Sequence, residues 1–141
     1  MKTVTVTGAK RLGISRCLAT ATMAEVTARM TDEDISCLVV VDSQGLLEGI
    51  ISRTDVLRAA LADDNWRQTP CRQWMTTAVV TVDPDTLLHD AAELMQQHQV
   101  HRIVVAKAEG ERQRPVAVLS SGDVVYHLHR RALQLSSSQE A

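Results

Sequence analysis

Phenylalanine is absent from this 141-residue chain, and the other aromatics amount to two Trp and one Tyr. A core must therefore come from Val, Leu, Ile, Ala and Met, and the aromatic faces on which single-stranded bases stack are missing. An excess of one charge is missing too: 15 Lys and Arg against 17 Asp and Glu leave a net charge of −2. No overall field collects a polyanion, which argues against nucleic acid as a partner. The longest unbroken apolar run is Cys37 to Val41, five residues, where a bilayer needs ~20. The opening Met-Lys-Thr-Val-Thr-Val-Thr lacks the apolar stretch of a signal peptide, so the chain reads as cytosolic, without membrane insertion. Cysteine is scarce: Cys17, Cys37 and Cys71 are odd in number and widely spaced, with no C-x-x-C pair. They read as buried free thiols rather than a zinc or redox set.

What is present is a duplication. Met30-Thr-Asp-Glu-Asp-Ile-Ser-Cys-Leu-Val-Val40 aligns with Met95-Gln-Gln-His-Gln-Val-His-Arg-Ile-Val-Val105 at an offset of 65 residues. Further on, Gly49-Ile-Ile-Ser-Arg-Thr-Asp-Val56 aligns with Ala117-Val-Leu-Ser-Ser-Gly-Asp-Val124 at an offset of 68. The extra three residues fall in the polar stretch Lys107 to Pro115, which fits a lengthened surface hairpin loop.

Each copy carries the same pattern: an apolar helical repeat (about Thr20 to Met30, and Thr86 to Gln97 capped by Asp85 or Thr86), then two β-branched strands and a closing helix. The strands are Cys37 to Val41 with Leu47 to Ile51, and Ile103 to Ala106 with Val116 to Leu119. The closing helices run over Ser52 to Leu61 and Ser120 to about Leu133. With a short leading strand the order within a copy is βαββα, an α/β chain of the α+β type. Thr3-Val-Thr-Val-Thr7 alternates as an extra strand would, with Gly8 and Gly13 bounding a turn; Ala62 to Gln73 reads as a connector and Ser136 to Ala141 as a disordered polar tail. The expected organisation is residues 1–67 for the first repeat with its N-terminal strand and linker, 68–133 for the second, and 134–141 for the tail.

Ser52-Arg-Thr-Asp55 and Ser120-Ser-Gly-Asp123 each stand where a strand turns into a helix. One reading is capping: the serine accepts from exposed helix N–H groups and the aspartate completes a capping box. The other is ligand binding, with the carboxylate accepting ribose hydroxyls while nearby N–H groups receive phosphate. Recurrence in both copies supports the second without excluding the first.

In this order the Gly49 to Val56 block, the Val-Val strands, Thr81-Val-Asp-Pro84 and Trp74-Met75-Thr76 resemble tandem CBS domains (the cystathionine β-synthase motif, paired as a Bateman module) over residues from about 14 to 130. The resemblance is to small stand-alone bacterial members. It implies two repeats packed about a pseudo-twofold axis, with clefts that take AMP, ADP, ATP or S-adenosylmethionine. It further implies ribose held by Asp55 and Asp123, with Ser52, Arg53, Thr54, Ser120 and Ser121 near ribose or phosphate. Adenine would lie against Thr81, Val82 and Pro84, and against Arg16 and Cys17 in the first copy. His101-Arg102 is similar to the phosphate-contacting pair of the regulatory γ subunit of AMP-activated protein kinase, and a guanidinium fork suits phosphate. The first copy has Ser36 and Cys37 there, so the clefts should be unequal. Ala117 in place of Gly49, Gly122 in place of Thr54 and Ala19 in place of Pro84 depart from strict repetition.

Thr5 to Gly13 lacks the lysine of a phosphate loop and reads as a plain turn. His127 and His129 point to opposite helix faces and cannot easily share a metal, while Arg130 and Arg131 read as a helix C-terminus. No catalytic constellation recurs. The expected function is a regulatory nucleotide-binding module, homodimeric through apolar helix faces (Val56, Leu57, Ala60, Leu61, Val124, Val125), acting on an effector in trans and without turnover. A ligand-free structural adaptor is the alternative.

Overall fold

The structure, a computed structural model, describes residues 1–10 and 13–140, with side chains through 136. It comprises α1 (Val6–Ala9), β1 (Arg16–Leu18), α2 (Met23–Asp32), β2 (Cys37–Val41), β3 (Leu47–Ser52), α3 (Arg53–Ala62), β4 (Thr81–Val82), α4 (Leu88–His98), β5 (Arg102–Glu109), β6 (Arg112–Ser120) and α5 (Ser121–Glu140). Two three-stranded sheets, ordered β1-β2-β3 and β4-β5-β6, are each mixed: β1 runs parallel to β2, which pairs antiparallel with β3, and β4 runs parallel to β5. The βαββα order expected of each copy is the order found.

The chain divides into two compact units. One holds residues 14–79 with 108–115, the other 1–13, 80–107 and 116–141. Their cores are built from equivalent residues. Met23, Val26, Met30, Leu38, Val40 and Ile51 fill the first, and Leu88, Ala91, Met95, Ile103, Val105 and Leu119 fill the second. Val39 and Val41, like Val104 and Ala106, are buried as well, so the central strands are covered on both faces and read as continuous apolar runs. Helices α2 and α4 both end on a left-handed residue, Asp34 (φ 51) and Gln99 (φ 53), after which Ile35 and Val100 donate to Met30 and Met95 carbonyls at 3.0 Å. Polar side chains tolerate this conformation best after glycine.

The N-terminal segment departs from expectation. Thr5 makes a single bridge to Leu87 and then caps α1, its hydroxyl accepting from Gly8 N–H, so residues 3–7 form no strand. Nor do they belong with the first repeat. Val6 is buried in the second unit's core, and Leu88 N–H donates to Val4 O at 2.7 Å. The first unit has the same arrangement 65 residues on: Met23 N–H donates to Thr69 O at 2.9 Å, and Cys71 fills the place of Val6. The segment preceding each repeat thus packs on the other one, covering a helix start with an apolar side chain, Val6 or Cys71.

Three further expectations are corrected. Lys107 to Pro115 lengthens the hairpin as expected, but as strand and not loop: β5 and β6 extend through it and turn at Gly110 (φ 63), since backbone pairing does not require burial. The N-cap of helix α4 is Leu87, which offers no side-chain cap, and not Asp85 or Thr86; Asp83 instead turns the chain, accepting from Asp85 N–H at 2.8 Å. Helix α5 continues to Glu140, through the stretch read as a disordered tail, so Arg130 and Arg131 lie within a helix and Arg130 rides over the Tyr126 ring. Arg11, Leu12 and Ala141, part of the turn and of the tail, lie outside the described residues.

The glycine at position 49 has a steric cause. A Cβ on Gly49 would lie 2.7 Å from Thr76 O, because Ile50 and Thr76 exchange hydrogen bonds of 2.9 Å beside it. At the equivalent place in the second unit Ala117 is opposed by Gly13, whose N–H donates to Val116 O at 2.8 Å. Crowding thus holds position 49 to glycine, whereas a Cβ on Gly13 would meet nothing within 4 Å and that residue answers to its φ of 137.

Candidate functional site

Both strand-to-helix junctions are capped as the sequence indicates. Ser52 N–H donates to Asp55 Oδ2 at 2.8 Å and Asp55 N–H to Ser52 Oγ at 3.4 Å; Ser120 N–H and Asp123 repeat the pair at 2.8 and 3.1 Å. The next N–H is used too, Arg53 donating to Ser36 O (3.1 Å) and Ser121 to His101 O (2.8 Å). These two amides are taken by strand-end carbonyls.

The carboxylates differ in what else they meet. Asp55 is 7% exposed; its Oδ2 also takes the Ser52 hydroxyl at 3.0 Å, and its Oδ1 takes Arg58 Nη2 at 3.0 Å. Arg58 is itself anchored, donating to Trp74 O at 2.6 Å with its guanidinium 5.7 Å from the Trp74 ring centre. This junction is closed. Asp123 keeps 28% of its side chain exposed and accepts Lys10 Nζ at 2.8 Å. Burial pushes the Asp123 carboxyl up, but the hydrogen bonds from Lys10 and Ser120 outweigh it and hold the group below the ordinary carboxylate range.

The hydrogen bond from Ser121 to His101 O seats the His101-Arg102 pair at the strand end beside Ser120. Asp123, Lys10, exposed His101 and half-buried Arg102 therefore belong to one unit. Lys10 was missed because its segment was assigned to the first repeat; its only signal was a cation just after the α1 turn.

The expected adenine contacts do not all join them. Thr81 pairs with Val104 and Val82 with Val105, so Pro84 lies toward the far end of the ladder from Ser120, with its carbonyl taken by Thr7 Oγ1 at 3.2 Å. The backbone nearest the junction is Val80, whose carbonyl accepts from Val104 at 3.0 Å. In the first unit Ser15 O holds the matching place, accepting from Val39 at 3.0 Å, next to exposed Arg16. Cys17 turns toward Cys71, Thr54 is exposed, and Arg53 reaches Asp34 at 3.6 Å. His127 is half-buried and His129 exposed, in keeping with their opposed directions.

The same fold recurs in known proteins. A family profile described as CBS domain matches residues 16–62 and 71–130. The chain belongs to the CBS-domain family. Members of this family are regulatory ligand-binding modules, and the two matched segments make this chain a tandem CBS pair. It is similar to CBS domain-containing protein YhcV of Bacillus subtilis, 29% identical over 103 residues that cover 73% of this chain and 70% of the relative. Among solved structures, AcuB of Vibrio cholerae superposes with a TM-score of 0.81 at 26% identity, covering 96% of each chain. CBSX2, solved in complex with AMP, shares the fold with a TM-score of 0.76 at 23% identity, covering 94% of this chain and 98% of the other. Two further curated relatives are longer, and the CBS pair here spans 54 and 59% of them. Among the described residues, no helix is long and apolar enough to cross a membrane.

Proposed function

We propose that this CBS pair is a cytosolic regulatory module that takes an adenosine-containing ligand (AMP, ADP, ATP or S-adenosylmethionine) and modulates an effector protein in trans. The observation that carries the reading is the second unit's junction. There a partly exposed Asp123 suited to ribose hydroxyls stands with Lys10 and the His101-Arg102 pair, cations suited to phosphate. The AMP complex of CBSX2 supports adenine nucleotides as the class. The first unit's junction favours a second role: Asp55, buried and fully engaged, is a structural cap, so one site per chain dominates.

The active form is a homodimer. Leu57 and Leu61 on α3 are 64% and 89% exposed, and Val125, Tyr126 and Leu128 on α5 are exposed as well. Exposed apolar helix faces of this kind call for a partner surface. Val56 and Val124, counted with this face from the sequence, contribute less: Val124 belongs to the second unit's core and Val56 packs partly against the first unit's. The module binds without turnover, its site holding groups suited to ribose and phosphate, since binding alone lowers no barrier.

A thermal-shift screen against AMP, ADP, ATP and S-adenosylmethionine tests the proposal. A ligand at a hundred times its Kd adds about 2.7 kcal/mol, a shift of several degrees. No shift with any of the four at millimolar concentration would leave a ligand-free adaptor as the better account.

A further inference from the structure

Two thiols that are far apart in sequence meet in the first unit. Cys17 in β1 and Cys71 in the turn Cys71–Gln73 bring their sulfurs to 3.9 Å across a sequence separation of 54. Cys71 is fully buried, its sulfur 3.4 Å from Leu18 O and 3.6 Å from Ala19 O. Cys17 is half-buried and lines a surface cavity of about 380 Å³ together with Glu25, Val26, Arg29 and Leu38. A disulfide bond is about 2 Å long, so closure needs the sulfurs to approach by about 2 Å, a distance that small side-chain rotations cover.

We propose that Cys17 and Cys71 are an oxidisable dithiol, reached by a hydroperoxide through the Cys17 cavity, whose disulfide fastens the segment following α3 to β1. This covalent site is independent of the nucleotide reading. The S–H···S contact lowers the Cys71 thiol and, with burial, raises Cys17, so the pair sheds its first proton early and holds its second. The proton is held more firmly on Cys17 than on Cys71, but Cys17 is the sulfur at the cavity and near the Arg29 guanidinium, so it is the thiol a peroxide meets and it reacts as the thiolate when its proton passes to Cys71.

That thiolate attacks one peroxide oxygen. The O–O bond breaks, the released proton completes a leaving water, and Cys17 becomes a sulfenic acid. The Cys71 sulfur then attacks the Cys17 sulfur, breaking its S–O bond, and the Cys71 proton leaves with the hydroxide as a second water. The two thiols lose two electrons and two protons, and hydrogen peroxide is reduced to two waters.

The test treats the reduced full chain with a small excess of hydrogen peroxide near neutral pH, quenches with an alkylating agent, and maps non-reduced peptides. The expected result is loss of two of the three thiols, one intramolecular Cys17–Cys71 cross-link, and reversal by dithiothreitol. Cys37→Ser should give the same map, and Cys17→Ser, checked for folding by circular dichroism, should give no intramolecular cross-link. Retention of all thiols, a cross-link through Cys37, or a link between chains would overturn the proposal. The wild-type and Cys37→Ser maps decide it even if Cys17→Ser does not fold, and no nucleotide enters any readout.

Discussion

Replacing Asp55 by alanine removes a carboxylate that is structural on every side. It accepts the Ser52 N–H at 2.8 Å, the Ser52 hydroxyl at 3.0 Å and Arg58 at 3.0 Å, with only 10% of the side chain exposed. Loss of an N-terminal cap costs about 0.5–2 kcal/mol, and loss of hydrogen bonds to a charged group about 1.5–3. The two overlap, being carried by one group, and Arg58 keeps the Trp74 carbonyl and ring, so it is not stranded. The expected cost is about 2–3 kcal/mol. At roughly 3–5 °C per kcal/mol for a chain of this length, the melting midpoint should fall by about 6–15 °C. Urea denaturation followed by circular dichroism measures the change directly, from the midpoint at constant slope. Asp123→Ala removes the equivalent cap bonds plus an ion pair about a third exposed, and should cost less, about 1–2 kcal/mol. A loss below about 1 kcal/mol for Asp55→Ala, or a larger loss at Asp123, would refute the assignment of a closed structural junction to the first unit.

Lys10→Met should lower stability modestly at neutral pH and flatten its acid dependence. The Asp123 carboxyl is held below its unfolded value, so its contribution is present above an unfolded pKa of about 3.9 and is lost as pH falls through the lower folded value. Melting midpoints from pH 7 to pH 2 check this, and parallel acid limbs for variant and wild type would count against it. Gly49→Ala forces a Cβ to 2.7 Å from Thr76 O and should cost about 1–3 kcal/mol by the same denaturation assay, whereas Gly13→Ala, with nothing within 4 Å of its Cβ, meets no such clash and is limited by its φ of 137. Leu57→Glu combined with Leu61→Glu should convert a homodimer to monomers with melting preserved, as read by light scattering; a wild-type monomer at tens of micromolar would remove the dimer from the account.

The duplication was the most legible feature, because core positions recur at fixed offsets whatever the surface does. Met23 and Leu88, Leu38 and Ile103, and Ile51 and Leu119 occupy the same places in their units. The strand-to-helix caps were legible for the same reason, being local. The exchanged segments were not: Val6 and Cys71 do equivalent work at the standard offset of 65, yet Thr-Val-Thr-Gly and Pro-Cys-Arg-Gln have no residue in common. Alternation over residues 3–7 suggests a strand, and only the partner across the chain decides otherwise. The ribbon over 107–115 was hidden by polarity, since hairpin pairing satisfies the backbone without burying side chains. Within the site, the company of Asp123 was invisible because Lys10 reaches it across 113 residues, and the Cys17–Cys71 approach across 54 was hidden likewise.

The central claim is that one junction per chain, the one holding Asp123, binds an adenine nucleotide. Isothermal titration of AMP into wild type, Asp55→Ala, Asp123→Ala and Arg102→Ala, each verified as folded, tests it most directly. Losing a charge-assisted bond to ribose or phosphate costs about 1.5–3 kcal/mol, so affinity should fall about ten- to a hundredfold for Asp123→Ala and for Arg102→Ala, and hold within about threefold for Asp55→Ala. Equal binding by all four proteins, or a loss confined to Asp55→Ala, would contradict the account.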